Sequence, residues 1–150
     1  MLCERNEAVG EIQMEDGLAF AKVDFSGVER FQTLGRSLGA TAFGLNVVSL
    51  QPKQRMRLHR HRNQEEVYIV LQGTLSLATA DGEHRLRAGE AVRVAPPIKR
   101  QLMNRDDELC VVLALGGAGL HVGRDGEAFV DWDATEAHPP QELPLPAPLP

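Results

Sequence analysis

Hydrophobic and polar positions along the middle of this chain alternate in short runs cut by glycines and brief polar breaks. Runs of four to eight residues with β-branched and aliphatic side chains, bounded by turn-forming residues, predict strands rather than helices. Strands are expected at 18–23, 42–50, 56–61, 66–71, 74–79, 84–87, 91–95, 100–104, 109–115 and 128–131. Asp81-Gly82 between two such runs is a hairpin signal. Gly73 and Gly89 mark two further turns, and residues 31–38 are expected as a short helix or turn. No internal repeat is evident. Many short strands with frequent turns predict an all-β sandwich or barrel.

Side chains on a strand alternate faces, so if Glu66, Tyr68 and Val70 face inward, Val67, Ile69 and Leu71 face outward. An outward apolar row has to be covered by another sheet or by a second copy of the chain, which makes a homodimer the expected assembly. From His138 onward the pattern dissolves into Pro-x alternation, and six of the nine prolines lie there. Residues 138–150 are therefore expected as an extended polyproline II or disordered tail, either draped over residues 1–137 or mobile. Such a tail could also serve as a ligand for a proline-reading domain.

Composition narrows the classes. One hundred and fifty residues suit one domain. The apolar fraction of 43% and charged fraction of 25% are those of a globular protein. A net charge of −5 and a pI near 5.5 argue against nucleic acid as a partner. No stretch approaches the ~18 apolar residues of a membrane span. The charged start Met-Leu-Cys-Glu-Arg-Asn-Glu lacks the apolar core of a signal peptide. Cys3 and Cys110 make no disulfide framework, and Cys110 sits in an apolar run as a buried small hydrophobe. A cytoplasmic protein is expected.

The candidate chemistry lies at 59–73. His59 and His61 are two apart on one strand face, and the acidic pair Glu65-Glu66 follows. Two imidazoles and one carboxylate hold a divalent metal and leave open positions for water or substrate. No phosphate loop, Ser/His/Asp arrangement or CxxC pair is present. His84 among charged residues, His121 after the glycine-rich 116–119 and His138 in the tail are weaker candidates.

This stretch resembles the first motif of the cupin superfamily, and specifically of its small single-domain members. The pattern His-x-His, four residues, Glu, six residues, Gly reads here as His59, His61, Glu66 and Gly73. The resemblance selects Glu66 over Glu65, which then faces the opposite way. Lys53 stands where the motif usually opens with glycine. A second motif runs from Gly89 to Asn104 with its spacing intact, but with Ala95 at the proline position and Pro97 at the second glycine position. Arg100 occupies the place of the third metal-binding histidine. The resemblance covers 53–104 and implies a jelly-roll (double-stranded β-helix, RmlC-like) barrel with the site inside its mouth.

Arginine offers only donors and cannot ligate a metal. Two arrangements follow. His59, His61 and Glu66 hold a divalent ion (Fe, Mn, Zn or Ni) while Arg100, with Arg57 from the same strand face, binds a small anionic molecule. Alternatively no metal binds, and Arg100 is the counter-charge of Glu66. Tyr68 shares the inward face and is the candidate acid or base, its bland alternative being an aromatic core filler with a satisfied hydroxyl. The functions these residues allow are a metal-dependent dioxygenase or isomerase, a non-catalytic ligand-binding cupin, and a dimeric interaction module.

Overall fold

The computed structural model describes residues 13–15, 17–117 and 125–150. Cys3 and His121 lie outside the described residues. The chain opens with a small antiparallel pair, β1 (Gln13–Glu15) and β2 (Leu18–Phe20). β3 (Phe31–Gln32) and the five-residue helix α1 (Leu34–Leu38) follow, resolving the ambiguous 31–38 stretch into both kinds of element. Gly39 ends the helix in the left-handed conformation, as helix C-termini often require. Gly35 is buried against Leu45, where a β-carbon would meet backbone at 3.2 Å.

The remaining strands are β4 (Gly44–Leu50), β5 (His59–His61), β6 (Glu65–Gln72), β7 (Thr74–Thr79), β8 (Gly82–Arg87), β9 (Ala91–Val94), β10 (Arg100–Met103), β11 (Cys110–Gly117) and β12 (Gly126–Ala128). Two five-stranded antiparallel sheets result, ordered β12-β5-β10-β7-β8 and β3-β4-β11-β6-β9. The pairings β4–β11, β5–β10, β6–β9 and β7–β8 are nested. The chain from β4 to β11 is thus one long antiparallel ribbon, folded at the β7–β8 turn and rolled so that its strands fall alternately in two sheets. That is a jelly roll.

The inner faces of both sheets close on one core of Val48, Leu50, Tyr68, Val70, Leu75, Leu77, Leu86, Val94, Leu102, Cys110, Val112 and Ala114. On β6 the expected alternation holds: Tyr68 and Val70 are buried, Val67 and Ile69 are half-buried, and Leu71 is exposed. Two backbone positions fix the roll. Gly73, at φ +73°, joins β6 to β7 so tightly that a β-carbon would lie 2.3 Å from the Leu109 carbonyl oxygen. Lys53 has φ +68°, the left-handed region that glycine adopts more readily. Asn104 is fully buried and ties this corner together, its Nδ2 donating to Leu50 O at 2.8 Å and Glu108 O at 2.7 Å.

Several expected strand limits shift, among them 18–23, whose strand ends at Phe20. Residues 56–58 precede β5 without being part of it, and the last strand is Gly126–Ala128 rather than 128–131. The C-terminal segment runs antiparallel to residues 53–57. Arg57 Nε donates to Leu143 O at 2.8 Å, Arg55 Nε to Ala147 O at 2.7 Å, and Leu149 N to Lys53 O at 2.8 Å. The prolines present no N–H to a further strand, so this edge of the sheet is closed to addition. No helix among the described residues is long and apolar enough to cross a membrane.

Candidate metal centre

β5 carries His59 and His61 on its inner face, and β6 brings Glu66 to meet them from the opposite sheet. The donor atoms of these three residues all lie within 4.8 Å of one another. Glu66 Oε1 is 3.4 Å from His59 Nε2 and 3.1 Å from His61 Nε2. The two imidazoles stand edge to face, centroids 5.3 Å apart. All three side chains keep 14–19% of their surface exposed, so the cluster is enclosed but reachable.

Behind the cluster sit Tyr68 and Arg100. The Tyr68 hydroxyl donates to Glu66 Oε1, and Arg100 Nη2 donates to the same oxygen at 2.9 Å. Arg100 also donates through Nε to Tyr68 at 3.3 Å, and through Nη1 to Ile98 O at 2.7 Å and Pro96 O at 3.3 Å. Its side chain has no exposed surface. Of the two arrangements expected for Arg100, the structure therefore holds the ion pair with Glu66. The expected swing toward the pocket as an anion clamp does not occur, because the carbonyls of the β9–β10 loop and Glu66 draw the guanidinium into the wall.

Electrostatics follow the geometry. Burial pushes the Glu66 carboxyl up, but the flanking imidazoles of His59 and His61 outweigh it and hold the group well below the usual carboxylate range. Burial, with the Glu66 charge beside it, pushes the Tyr68 phenol well above its ordinary range, so it stays a donor. Tyr68 is only 1% exposed and reaches the pocket through Glu66, not directly.

The histidine environments bear on a metal. His59 Nδ1 lies 3.1 Å from the Arg57 carbonyl oxygen, which can only accept, so Nδ1 carries the hydrogen and Nε2 faces Glu66. Both ring nitrogens of His61 are buried and neither makes a well-formed hydrogen bond, although Nε2 lies 3.1 Å from Glu66 Oε1 and Nδ1 3.8 Å from Asp125 Oδ2. Buried polar atoms left this way call for a ligand, and a cation between the Nε2 atoms and Glu66 supplies one. Two imidazoles and a carboxylate with spacings near 3 Å are a set that can hold a divalent metal.

The other candidates go elsewhere. Arg57 is turned to the C-terminal segment through its Nε, while its carbonyl steadies His59. His84 is exposed, and His138 is half-buried with its backbone bridged to Ala128. Glu65 faces outward, paired with Arg93. One residue the sequence reading passed over is Asp125, whose buried carboxylate approaches His61 Nδ1 at 3.8 Å. Its only signal was an Asp-Gly step before a strand, which reads as a turn.

Comparison with known proteins agrees with this architecture. Residues 46–116 match the Cupin_2 family model, described as a cupin domain. The matched segment, the barrel from β4 to β11, is a cupin domain. A sugar phosphate isomerase from a cupin superfamily, from Silicibacter pomeroyi, is 24% identical over 81% of this chain and 84% of that one, with a TM-score of 0.60. A cupin protein from Bacteroides fragilis is 22% identical over 73% and 88%, also at 0.60. A structure from Acidithiobacillus ferrooxidans, named provisionally as a sugar phosphate isomerase, is 23% identical with a TM-score of 0.53. That match covers 57% of this chain and 56% of the other, little more than half its length. At these identities the likeness is one of fold. A comparison with curated proteins finds no match.

Proposed function

We propose that this cupin domain holds a divalent metal through His59, His61 and Glu66 and uses it to bind a small anionic molecule for isomerase-type chemistry, or dioxygenase-type chemistry if the ion is iron. The observation that carries the reading is the cluster itself: the Nε2 atoms of His59 and His61 converge on Glu66 Oε1 at 3.4 and 3.1 Å, and His61 makes no well-formed hydrogen bond there. When bound, the metal would polarise an oxygen of the ligand as a Lewis acid. Glu66 contributes the negative charge, and Tyr68 and Arg100 hold its Oε1 in place from behind. Arg57, with its Nε held by Leu143 O, is the proposed cation for the ligand's far end.

The sugar phosphate isomerases of the same fold act in the same class of chemistry by name, which makes phosphate a sensible first probe. Untagged protein should carry close to one metal per chain, or take it up after stripping. His61→Ala and Glu66→Ala should weaken uptake at least 100-fold, and Arg57→Gln should weaken phosphate binding to the loaded protein. Equal uptake by the parent and both site variants would refute the metal reading. A second reading, a non-catalytic cupin that binds its ligand without metal, is favoured by the Arg100–Glu66 pair, which already neutralises the carboxylate. It predicts phosphate binding that survives complete chelation.

We also propose that the chain pairs with a second copy through the outer face of the β6–β11 sheet. Val67 and Leu115 there border a shallow depression of about 270 Å³ together with Ala42 and Phe43. Light scattering that gives the monomer mass at high concentration refutes this. The free, buried thiol of Cys110 suits a cytoplasmic location.

A further inference from the structure

Asp125 immediately precedes β12, and it does more than end a loop. Its side chain is 3% exposed. Oδ2 accepts from Asn63 N and Gln64 N, both at 2.8 Å, and Oδ1 accepts from Asn63 Nδ2 at 3.0 Å. Its backbone carbonyl accepts from Arg62 N at 3.2 Å. Three consecutive residues thus hang on Asp125, and they form the turn between β5 and β6. That turn sets how His61 meets Glu66, because four residues of chain separate them.

The same carboxylate also faces the ring. Oδ2 lies 3.8 Å from His61 Nδ1, while His61 Nε2 lies 3.1 Å from Glu66 on the opposite edge of the imidazole. The ring is held between two carboxylates with different tasks. An anionic oxygen beside Nδ1 favours the tautomer with hydrogen there and leaves the Nε2 lone pair toward the cluster. His59 shows the same plan with a different acceptor, its Nδ1 against Arg57 O. Both imidazoles therefore point Nε2 inward with an oxygen behind Nδ1, at 3.1 Å for His59 and 3.8 Å for His61.

We infer that Asp125 is the positioning residue of this centre: it fixes the tautomer and direction of His61 and sets the β5–β6 turn that brings His61 to Glu66. The inference rests on the metal reading for its consequence but not for its geometry. A carboxylate behind a metal-binding histidine raises metal affinity by orienting the ring, and its loss commonly costs 10–100-fold. A turn cap alone would change stability without changing how the ring is used.

The test uses the full chain with Co²⁺ as the probe, together with ¹⁵N spectra of the histidine rings in metal-free protein. Asp125→Asn is expected to weaken Co²⁺ binding about 10–100-fold and to alter the ring-nitrogen shifts of His61 while leaving those of His59. In a His61→Ala background, Asp125→Asn should cause no further loss. Asp125→Glu, which keeps the charge, should bind Co²⁺ more tightly than Asp125→Asn. Affinity within twofold of the parent, an equal loss without His61, or the reverse order of Glu and Asn overturns the inference. If the parent itself takes up no Co²⁺, the metal reading fails separately. The ring spectra then decide for Asp125: an unchanged His61 in Asp125→Asn overturns its role, and a changed one supports it.

Discussion

Arg100→Met removes a full positive charge from the wall of the site while filling most of its volume. The guanidinium Nη2 is 2.9 Å from Glu66 Oε1, and the arginine is fully enclosed. Unit charges about 4 Å apart attract by roughly 4 kcal/mol at an effective dielectric near 20. Breaking a buried pair by removing one partner commonly costs about 3–5 kcal/mol, because the other charge is left behind. The Ile98 carbonyl loses its 2.7 Å donor as well, whereas Pro96 O keeps His61 N at 2.9 Å. A loss of about 3–5 kcal/mol is therefore expected. In a chain of this length it corresponds to a melting temperature lower by about 6–20 °C.

Urea unfolding of stripped protein is the assay, run as a double-mutant cycle with Glu66→Gln. Each single variant should lose several kcal/mol, and the double variant should recover at least about 2 kcal/mol relative to their sum. Metal affinity of Arg100→Met should rise at least tenfold, since a divalent ion then meets Glu66 without a competing cation. An additive cycle, or a single-variant loss below about 1 kcal/mol, would show that Glu66 does not depend on Arg100.

Backbone and edge positions give further checks. Lys53→Gly should stabilise the protein by up to about 1 kcal/mol, because relief of the left-handed conformation exceeds the entropy that glycine loses; a lower melting temperature contradicts this. Gly73→Ala should cost more than the ~1–3 kcal/mol of local backbone strain, since its β-carbon strikes the Leu109 carbonyl, and a near-parental urea midpoint would sink the claim. Deleting residues 139–150 removes the bonds to Lys53, Arg55 and Arg57 and should cost about 2–4 kcal/mol; an unchanged melt would mean the segment contributes nothing. Burial pushes the Asp125 carboxyl up, but the N–H donors of Asn63 and Gln64 hold it below its ordinary 3.8. Its folded value being depressed, the stability it supplies is complete above about pH 4 and is lost as pH falls on through the lower, folded value. Asp125→Asn should flatten that acid limb, and superimposable pH profiles would count against it.

The legible part of the site is the part written in local spacing. His59, His61 and Glu66 were readable because period-two alternation places them on facing surfaces, and β5 and β6 keep that alternation. Short strands and the turns at Gly73, Asp81-Gly82 and Gly89 implied only an all-β sandwich or barrel, and the jelly-roll arrangement came from the family resemblance. Lys53 at the expected glycine position was readable as a departure, and its φ of +68° shows that the backbone need persists without the residue that serves it best. The pairing of Arg100 with Glu66 was one of the two expected arrangements, but its other anchors were not foreseen, since two of them are loop carbonyls that no side-chain pattern encodes. Asp125 was not legible at all. Its contacts span more than sixty residues, and only the β12–β5 pairing brings it to the turn.

Arg100, enclosed in the wall and bonded to Glu66, should change the centre's preference through its charge. In the proposed loaded state, neutral His59 and His61, one carboxylate, one guanidinium and a divalent ion leave two positive charges in an enclosed pocket. A neutral histidine in place of Arg100 would leave one. The extra charge disfavours the metal and favours an anion once the metal is present, so the two should bind with positive coupling. Metal affinity should then be higher in saturating phosphate than in its absence, and by linkage phosphate affinity should rise by the same factor on loading. Arg100→Met keeps the ligands and lowers the charge by one. It should bind metal more tightly yet show weaker coupling, a pair of changes that a direct arginine clamp would not produce.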